Sequence, residues 1–289
     1  MTGKEPSEIR MNVIVQEPPE SLRLFVHKLW HISADHIDQQ DICLPVLQYE
    51  LMFNFSEHFS VSDPNEALII EDEENWVSGL YTRPQRTITS GKHETFGVFL
   101  KPWALQSLTG IPASELTNQI APGNTVFCRS INELNGRMRD ALTAGEKLAL
   151  LERFLTKRLT DRDIPAYLVY AVDFLQRSRW HDGIIKALAQ DLRISPKSLT
   201  LAFKKHIGIS PGRFLHLRLL NDLASDLAQK PHQSLTELAH QHGFFDQAHL
   251  NHLFKSLTNL TPGDYRNHVL AGAIDPASPC YIRASADHG

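Results

Sequence analysis

Two stretches decide the fold: ALAQDLRISPKSLTLAFKKHIGISPGRFL (187–215) and ELAHQHGFFDQAHLNHLFKSLTNLTPGDYR (237–266). They are one unit written twice. From Phe203, Ser210-Pro211 lie seven and eight residues on and Phe214 eleven on; from Phe254, Thr261-Pro262 and Tyr265 lie at the same offsets. Phe203 to Phe254 and Pro211 to Pro262 are both 51 apart. Leu188-Ala189 matches Leu238-Ala239 with one residue of slip in the turn.

Local signals mark where helices start and stop. Ser195-Pro196 sets a capping hydroxyl before a proline in the first helical position, and Asp246 stands at the equivalent place. Ser234-Leu235-Thr236-Glu237 has the pattern of a capping box. Gly208 and Asn259 follow their helices and tolerate the left-handed conformation that ends one. Each unit therefore reads as helix, tight turn, helix. Leu199, Ala202 and Phe203 form the inner face of one second helix, and Leu250, Leu253 and Phe254 that of the other. Phe214, Leu217, Leu220, Ala224 and Leu227 mark a connecting helix over 212–230.

The outward faces carry the chemistry. The first unit leaves Lys197, Ser198, Thr200, Leu201, Lys204 and Lys205; the second leaves Gln247, Ala248, His249, Asn251, His252 and Lys255. No carboxylate follows Asp246 on either face. A helix lying in a DNA groove requires this, since an unpaired acid against phosphate is costly. Asn251 has an amide that can donate to and accept from one adenine edge. Lys197 or His252 can bond guanine, and Leu201 can only touch a thymine methyl. Lys204, Lys205 and Lys255 are placed for phosphates.

The tandem units, with Ser195-Pro196, Phe203-Lys204-Lys205, His242-Gly243-Phe244, Asp246-Gln247-Ala248-His249-Leu250, Phe254-Lys255 and the terminal Thr261-Pro262-Gly263-Asp264-Tyr265-Arg266, resemble the AraC/XylS transcription regulators over about 168–268. The resemblance implies two helices inserted into successive major-groove segments about 34–36 Å apart, so that one chain reads an asymmetric site. Many members carry arginine where Leu201 and His252 stand here. Residues 18–159 resemble an N-terminal module attached to such halves, through Pro19, Trp30, Leu44-Pro45, Gly79, Gly97-Val98-Phe99 and Lys101-Pro102. That resemblance implies a partly β regulatory domain.

The N-terminal half supports this on its own terms. Leu51–Phe55 and Phe96–Leu100 read as strands, with turn signals at Asp63-Pro64-Asn65, Arg83-Pro84 and Ser90-Gly91. The spacing of apolar residues in LRLFVHKLW (22–30) predicts a helix, as do residues 102–108 and 131–159. The expected fold is multi-domain. An α+β half, an antiparallel barrel or sandwich with helices, precedes an all-α tandem helix-turn-helix half. The expected divisions are 1–160, a linker at 161–167, a DNA-binding domain at 168–268 and a flexible tail at 269–289. Trp30, Tyr49, Phe53, Phe99 and Trp103 are candidates to line an effector pocket.

Composition fits this division. Residues 168–270 hold 12 Lys+Arg against 8 Asp+Glu, whereas residues 1–167 hold 16 against 23. The acidic half is suited to a ligand or partner rather than to DNA. No apolar run reaches the ~18–20 residues of a membrane span, and the first ten residues lack a signal-peptide core. Three widely spaced cysteines suggest a reducing compartment, so a cytoplasmic chain is expected. His240, His242, His249 and His252 have ligand-like spacing but no cysteine nearby, so no metal and no cofactor are expected. The run Glu71-Asp72-Glu73-Glu74 reads as a solvated loop, and no nucleophile or phosphate-loop motif occurs.

These readings point to a transcription regulator, an activator without enzymatic activity. Its partners would be double-stranded DNA, a small-molecule effector, a second copy through the N-terminal half, and RNA polymerase. Two other readings remain at this stage. The N-terminal half could be a small-molecule-modifying enzyme with the helical half as tether, or the chain could be a ligand-free architectural binder.

Overall fold

The computed structural model describes residues 11–159 and 164–284. Its N-terminal half opens with β1 (Asn12–Gln16), a 3-10 turn at Glu20–Leu22, β2 (Val26–Cys43), β3 (Tyr49–Asn54), β4 (His58–Ser62), β5 (Leu68–Glu71), β6 (Asn75–Ser78) and β7 (Gln85–Leu100). After these come α1 (Ala104–Thr109), a 3-10 turn at Ala113–Glu115, β8 (Ile120–Pro122), α2 (Gly123–Phe127), α3 (Arg129–Asp140) and α4 (Ala144–Leu159). The C-terminal half is α5 (Ala166–Arg177), α6 (Ile184–Asp191), α7 (Pro196–Ile207), α8 (Pro211–Gln229), α9 (Leu235–Gln241), α10 (Gln247–Thr258), α11 (Pro262–Leu270) and a short β9 (Tyr281–Arg283).

The long strands β2 and β7 form the spine of an antiparallel sheet ordered β1-β2-β7-β3-β6-β8. The first part of β7 pairs with β4 and its last part with β3. Alternation separates two faces. Leu29, Tyr49, Leu51, Phe53, Phe96 and Val98 belong to one apolar core that continues without a break into Phe203, Phe214 and Phe254 of the helical half. A smaller cluster gathers Phe59, Val61, Ile70 and Trp76, with the Phe59 and Trp76 rings stacked at 5.3 Å.

Four expectations change. The turn signal at Ser90-Gly91 lies inside β7, where Gly91, at φ 77°, sits opposite Ile37 beside a register shift in β2. Residues 22–30 are a 3-10 turn and the start of β2, not a helix. A register shift between Val26 and Lys28 places an extra residue in the strand, so Val26 and Leu29 both face the core, as helical spacing would also arrange. The expected linker at 161–167 falls partly outside the described residues, and α5 already begins at Ala166. The tail is not loose through 283. Ile274, Cys280 and Ile282 are buried, and β9 pairs with β2 as Asp41↔Arg283, Ile42↔Ile282 and Cys43↔Tyr281. The partner strand lies near the other end of the chain, where no local pattern reveals it. The helices expected over 102–108 and 131–159 are present as α1, and as α3 and α4 with a break between them.

Candidate nucleic-acid interface

The two units fold as the duplicated sequence requires. In the first, Ser195 Oγ accepts from the backbone N–H of Ser198 at 3.0 Å, with Pro196 in the first turn of α7. In the second, Asp246 Oδ1 accepts from His249 N–H at 2.8 Å. The following helices are capped alike, by Ser210 on α8 and by a reciprocal Thr261–Asp264 box on α11. Each such cap stabilises its helix by about 1 kcal/mol. The box expected at α9 does not form: the Ser234 side chain makes no capping bond there.

The turns obey the same logic. Ile194 N–H reaches Ala189 O at 3.0 Å, and Phe244 N–H reaches Ala239 O at 2.9 Å. Each follows a left-handed residue, Arg193 at φ 54° and Gly243 at φ 83°. A side chain on Gly243 would also meet the Trp180 carbonyl, its Cβ 2.5 Å from the oxygen. The slip in the repeat now has a location. Phe245 is the additional residue between the second turn and the cap of α10, and it is 87% exposed. The inner faces are buried at Leu199, Phe203, Leu250, Leu253 and Phe254, while Ala202 is half-buried.

The outward side chains fall into two groups. Lys197, Ser198, Leu201, Lys204 and Lys205 on α7, and Gln247, His252 and Lys255 on α10, are exposed. Thr200, His249 and Asn251 are half-buried. Thr200 Oγ1 donates to the Pro196 carbonyl at 2.9 Å, one helical turn back. The His249 ring sits edge-on to Phe244 at 5.1 Å and to Trp180 at 5.8 Å. Asn251 Oδ1 is sealed from solvent without a hydrogen-bond partner. Trp180 and Phe245 were not singled out by the spacing, since Trp180 precedes the repeat and Phe245 interrupts it. His242 Nε2 bonds Asp226 Oδ2 at 2.7 Å and so ties the second turn to α8.

The N-terminal half grips the first unit at its C-terminal end. The Tyr49 hydroxyl donates to Ile207 O, and Thr117 Oγ1 donates to Gly208 O at 2.9 Å. Gly208, at φ 85°, ends α7, and a Cβ there would press on Thr117 Oγ1 at 2.6 Å and Ala113 O at 2.8 Å. These contacts lie at the opposite end of α7 from Lys197 and leave the outward face open.

The five pocket candidates do not converge. Tyr49 and Phe53 pair with Leu100 and Phe96 on the face packed against the helices. Trp30 and Phe99 lie on the other face, their rings 5.5 Å apart, with Trp30 covering Gly97. Trp103 is buried and donates to Leu24 O at 2.8 Å. A cavity of about 290 Å³ opens elsewhere, among Glu73, Glu74, Asn75, Asn124 and Asn132. Another of about 440 Å³ lies between α3 and α4. The acidic run is partly structural, since Glu74 meets Asn135 Nδ2 at 2.6 Å and Arg139 Nη2 at 2.5 Å. Among the described residues, no helix is long and apolar enough to cross a membrane.

Residues 188–268 match a family model described as a helix-turn-helix domain. Residues 15–122 match one described as a domain of unknown function, DUF6597. An uncharacterized HTH-type transcriptional regulator of Haemophilus influenzae is 32% identical over 120 residues, 42% of this chain and 39% of its own. The HTH-type transcriptional activator RhaS of Salmonella arizonae is 33% identical over 121 residues, 41% of this chain and 42% of its own. The matched part thus spans about two fifths of these relatives' length. ToxT from Vibrio cholerae O395 aligns with a TM-score of 0.41 at 14% identity, over 92% of this chain and 100% of its own. With the duplicated caps, turns and inner faces in place, residues 188–268 belong to the helix-turn-helix domain family, in the two-unit form of the AraC/XylS regulators.

Proposed function

We propose that this chain is a sequence-specific, DNA-binding transcription regulator whose two units lie in successive major-groove segments of one duplex. The observation that carries the reading is the pair of exposed helix faces. Both bear lysines, and neither holds a carboxylate beyond the Asp246 cap. Lys204, Lys205 and Lys255 lie in the last turns of α7 and α10, beyond the other outward side chains, and suit phosphate contact, each adding about one unit to the salt slope. The reading assigns no catalytic group.

The N-terminal half, in this reading, is the regulatory one. Tyr49 and Thr117 touch the end of α7, so a change in the sheet reaches the first unit directly. An effector acts only through different affinity for two such arrangements. The relative named an activator supports the activating sense; RNA polymerase is the further partner this reading calls for. A second copy would join through the N-terminal half.

The test is retardation of the chain's own upstream promoter by the full-length protein, at about 150 mM salt with competitor DNA. Retained promoter binding supports the reading. Equal loss of promoter and competitor contradicts it.

A further inference from the structure

The reading faces hold fewer free hydrogen-bonding groups than their residue types suggest. On α7 the Thr200 hydroxyl is engaged with Pro196 O at 2.9 Å, and the Ser198 hydroxyl with Ser195 Oγ at 2.8 Å. On α10 the Asn251 carbonyl oxygen is shielded, and the His249 ring is clasped between Trp180 and Phe244. Gln247 Oε1 accepts from Thr236 Oγ1 at 3.4 Å. What protrudes instead is apolar. Leu201 is 58% exposed among Lys197, Lys204 and Lys205, and Phe245 is 87% exposed directly ahead of the α10 cap.

An isolated exposed leucine needs no explanation. Two large apolar groups, one on each unit and both open to solvent, make a pattern. The major groove offers one apolar feature on its base edges, the C5-methyl of thymine. Phe245 is also the one additional residue of the second unit between turn and cap, and it is exposed rather than packed into the core.

We infer that the two units select their sites by thymine methyl contact, Leu201 in the first segment and Phe245 in the second. This rests on the DNA-binding reading above and names the base chemistry it uses. The preferred duplex would then carry a thymine in each of two segments about one helical turn apart.

The experiment selects duplexes from a random pool with the full-length chain, then replaces each thymine of the selected site by uracil, which removes only the methyl. Two positions about ten base pairs apart should each lose about four-fold in affinity, the worth of one buried methyl. Leu201→Ala should abolish the uracil effect at one position and Phe245→Ala at the other, with circular dichroism showing both variants folded. Selected sites indifferent to uracil, or uracil effects that persist in both variants, overturn the inference while leaving DNA binding intact. Failure to enrich any sequence overturns the DNA-binding reading itself, and this inference with it.

Discussion

The side-chain amide of Asn221 closes a ring with the loop at Pro45: its nitrogen donates to Pro45 O at 2.7 Å, and its oxygen accepts from Leu47 N–H at 3.1 Å. Asn221 lies in α8, the helix between the two helix-turn-helix units, and Pro45 in the loop between β2 and β3. The helix that joins the two units is thus fastened to the sheet of the N-terminal half. Asn221→Leu removes both bonds and leaves a backbone N–H and a carbonyl unpaired. We expect a loss of about 2–4 kcal/mol, measured by urea unfolding of the full chain.

The tail fastens the halves a second time. Tyr265 OH donates to Pro279 O at 2.6 Å, Leu44 N–H to Cys280 O at 2.7 Å, and Ile282 is buried opposite Ile42. Ile282→Ala should destabilise by about 2–4 kcal/mol. Truncation after Gly272 should split a single calorimetric transition into two, because β9 is part of the tie between the halves. A truncated chain that still melts in one transition at an unchanged temperature would contradict this role.

The caps give a finer check. Ser195→Ala and Asp246→Ala each remove one acceptor at the start of α7 or α10. Each should cost about 1 kcal/mol in stability. DNA affinity should fall with little change in the salt slope, since neither residue is cationic and no phosphate contact is lost. Lys204→Gln, by contrast, should lower the slope by about one and leave stability nearly unchanged.

Glu50, half-buried on the sheet's second face opposite Phe99 and Ser78, is pushed up to about 7 by burial. A carboxyl raised in the folded state favours folding while it is neutral. Its contribution is complete below the ordinary carboxylate range and is lost as pH rises through about 7. The chain should therefore lose stability between about pH 4.5 and 7.5 from this group. Glu50→Gln should flatten that loss and gain about 1–2 kcal/mol at pH 8, discounted for the residue's remaining solvent contact. Denaturant midpoints across the pH series decide it.

What the sequence made legible was local. Ser195, Asp246, Gly208 and Asn259 each act within a few residues, so their types announce their roles, whereas the capping box expected at Ser234 forms instead at Thr261–Asp264. The strand at 26–30 was hidden because a bulge gave it helical spacing, and β9 because its partner is remote in the chain. At the site, composition identified the outward faces but not which side chains stay free on them. His249 packs against Trp180, a residue outside the repeat, and Asn251 is half-covered, as is Thr200 at the equivalent position. Phe245 was invisible for the opposite reason: an insertion matches nothing in the first unit.

The central claim, that residues 188–268 read a duplex, is met most directly by equilibrium anisotropy of the full-length chain on its own upstream promoter and on a scrambled duplex of equal composition, at several salt concentrations. The account predicts tighter binding to the promoter by at least about ten-fold at about 150 mM salt. It also predicts a slope that falls by about one for each of Lys204→Gln and Lys255→Gln. Equal affinity for the two duplexes, or a slope unmoved by either substitution, would contradict it.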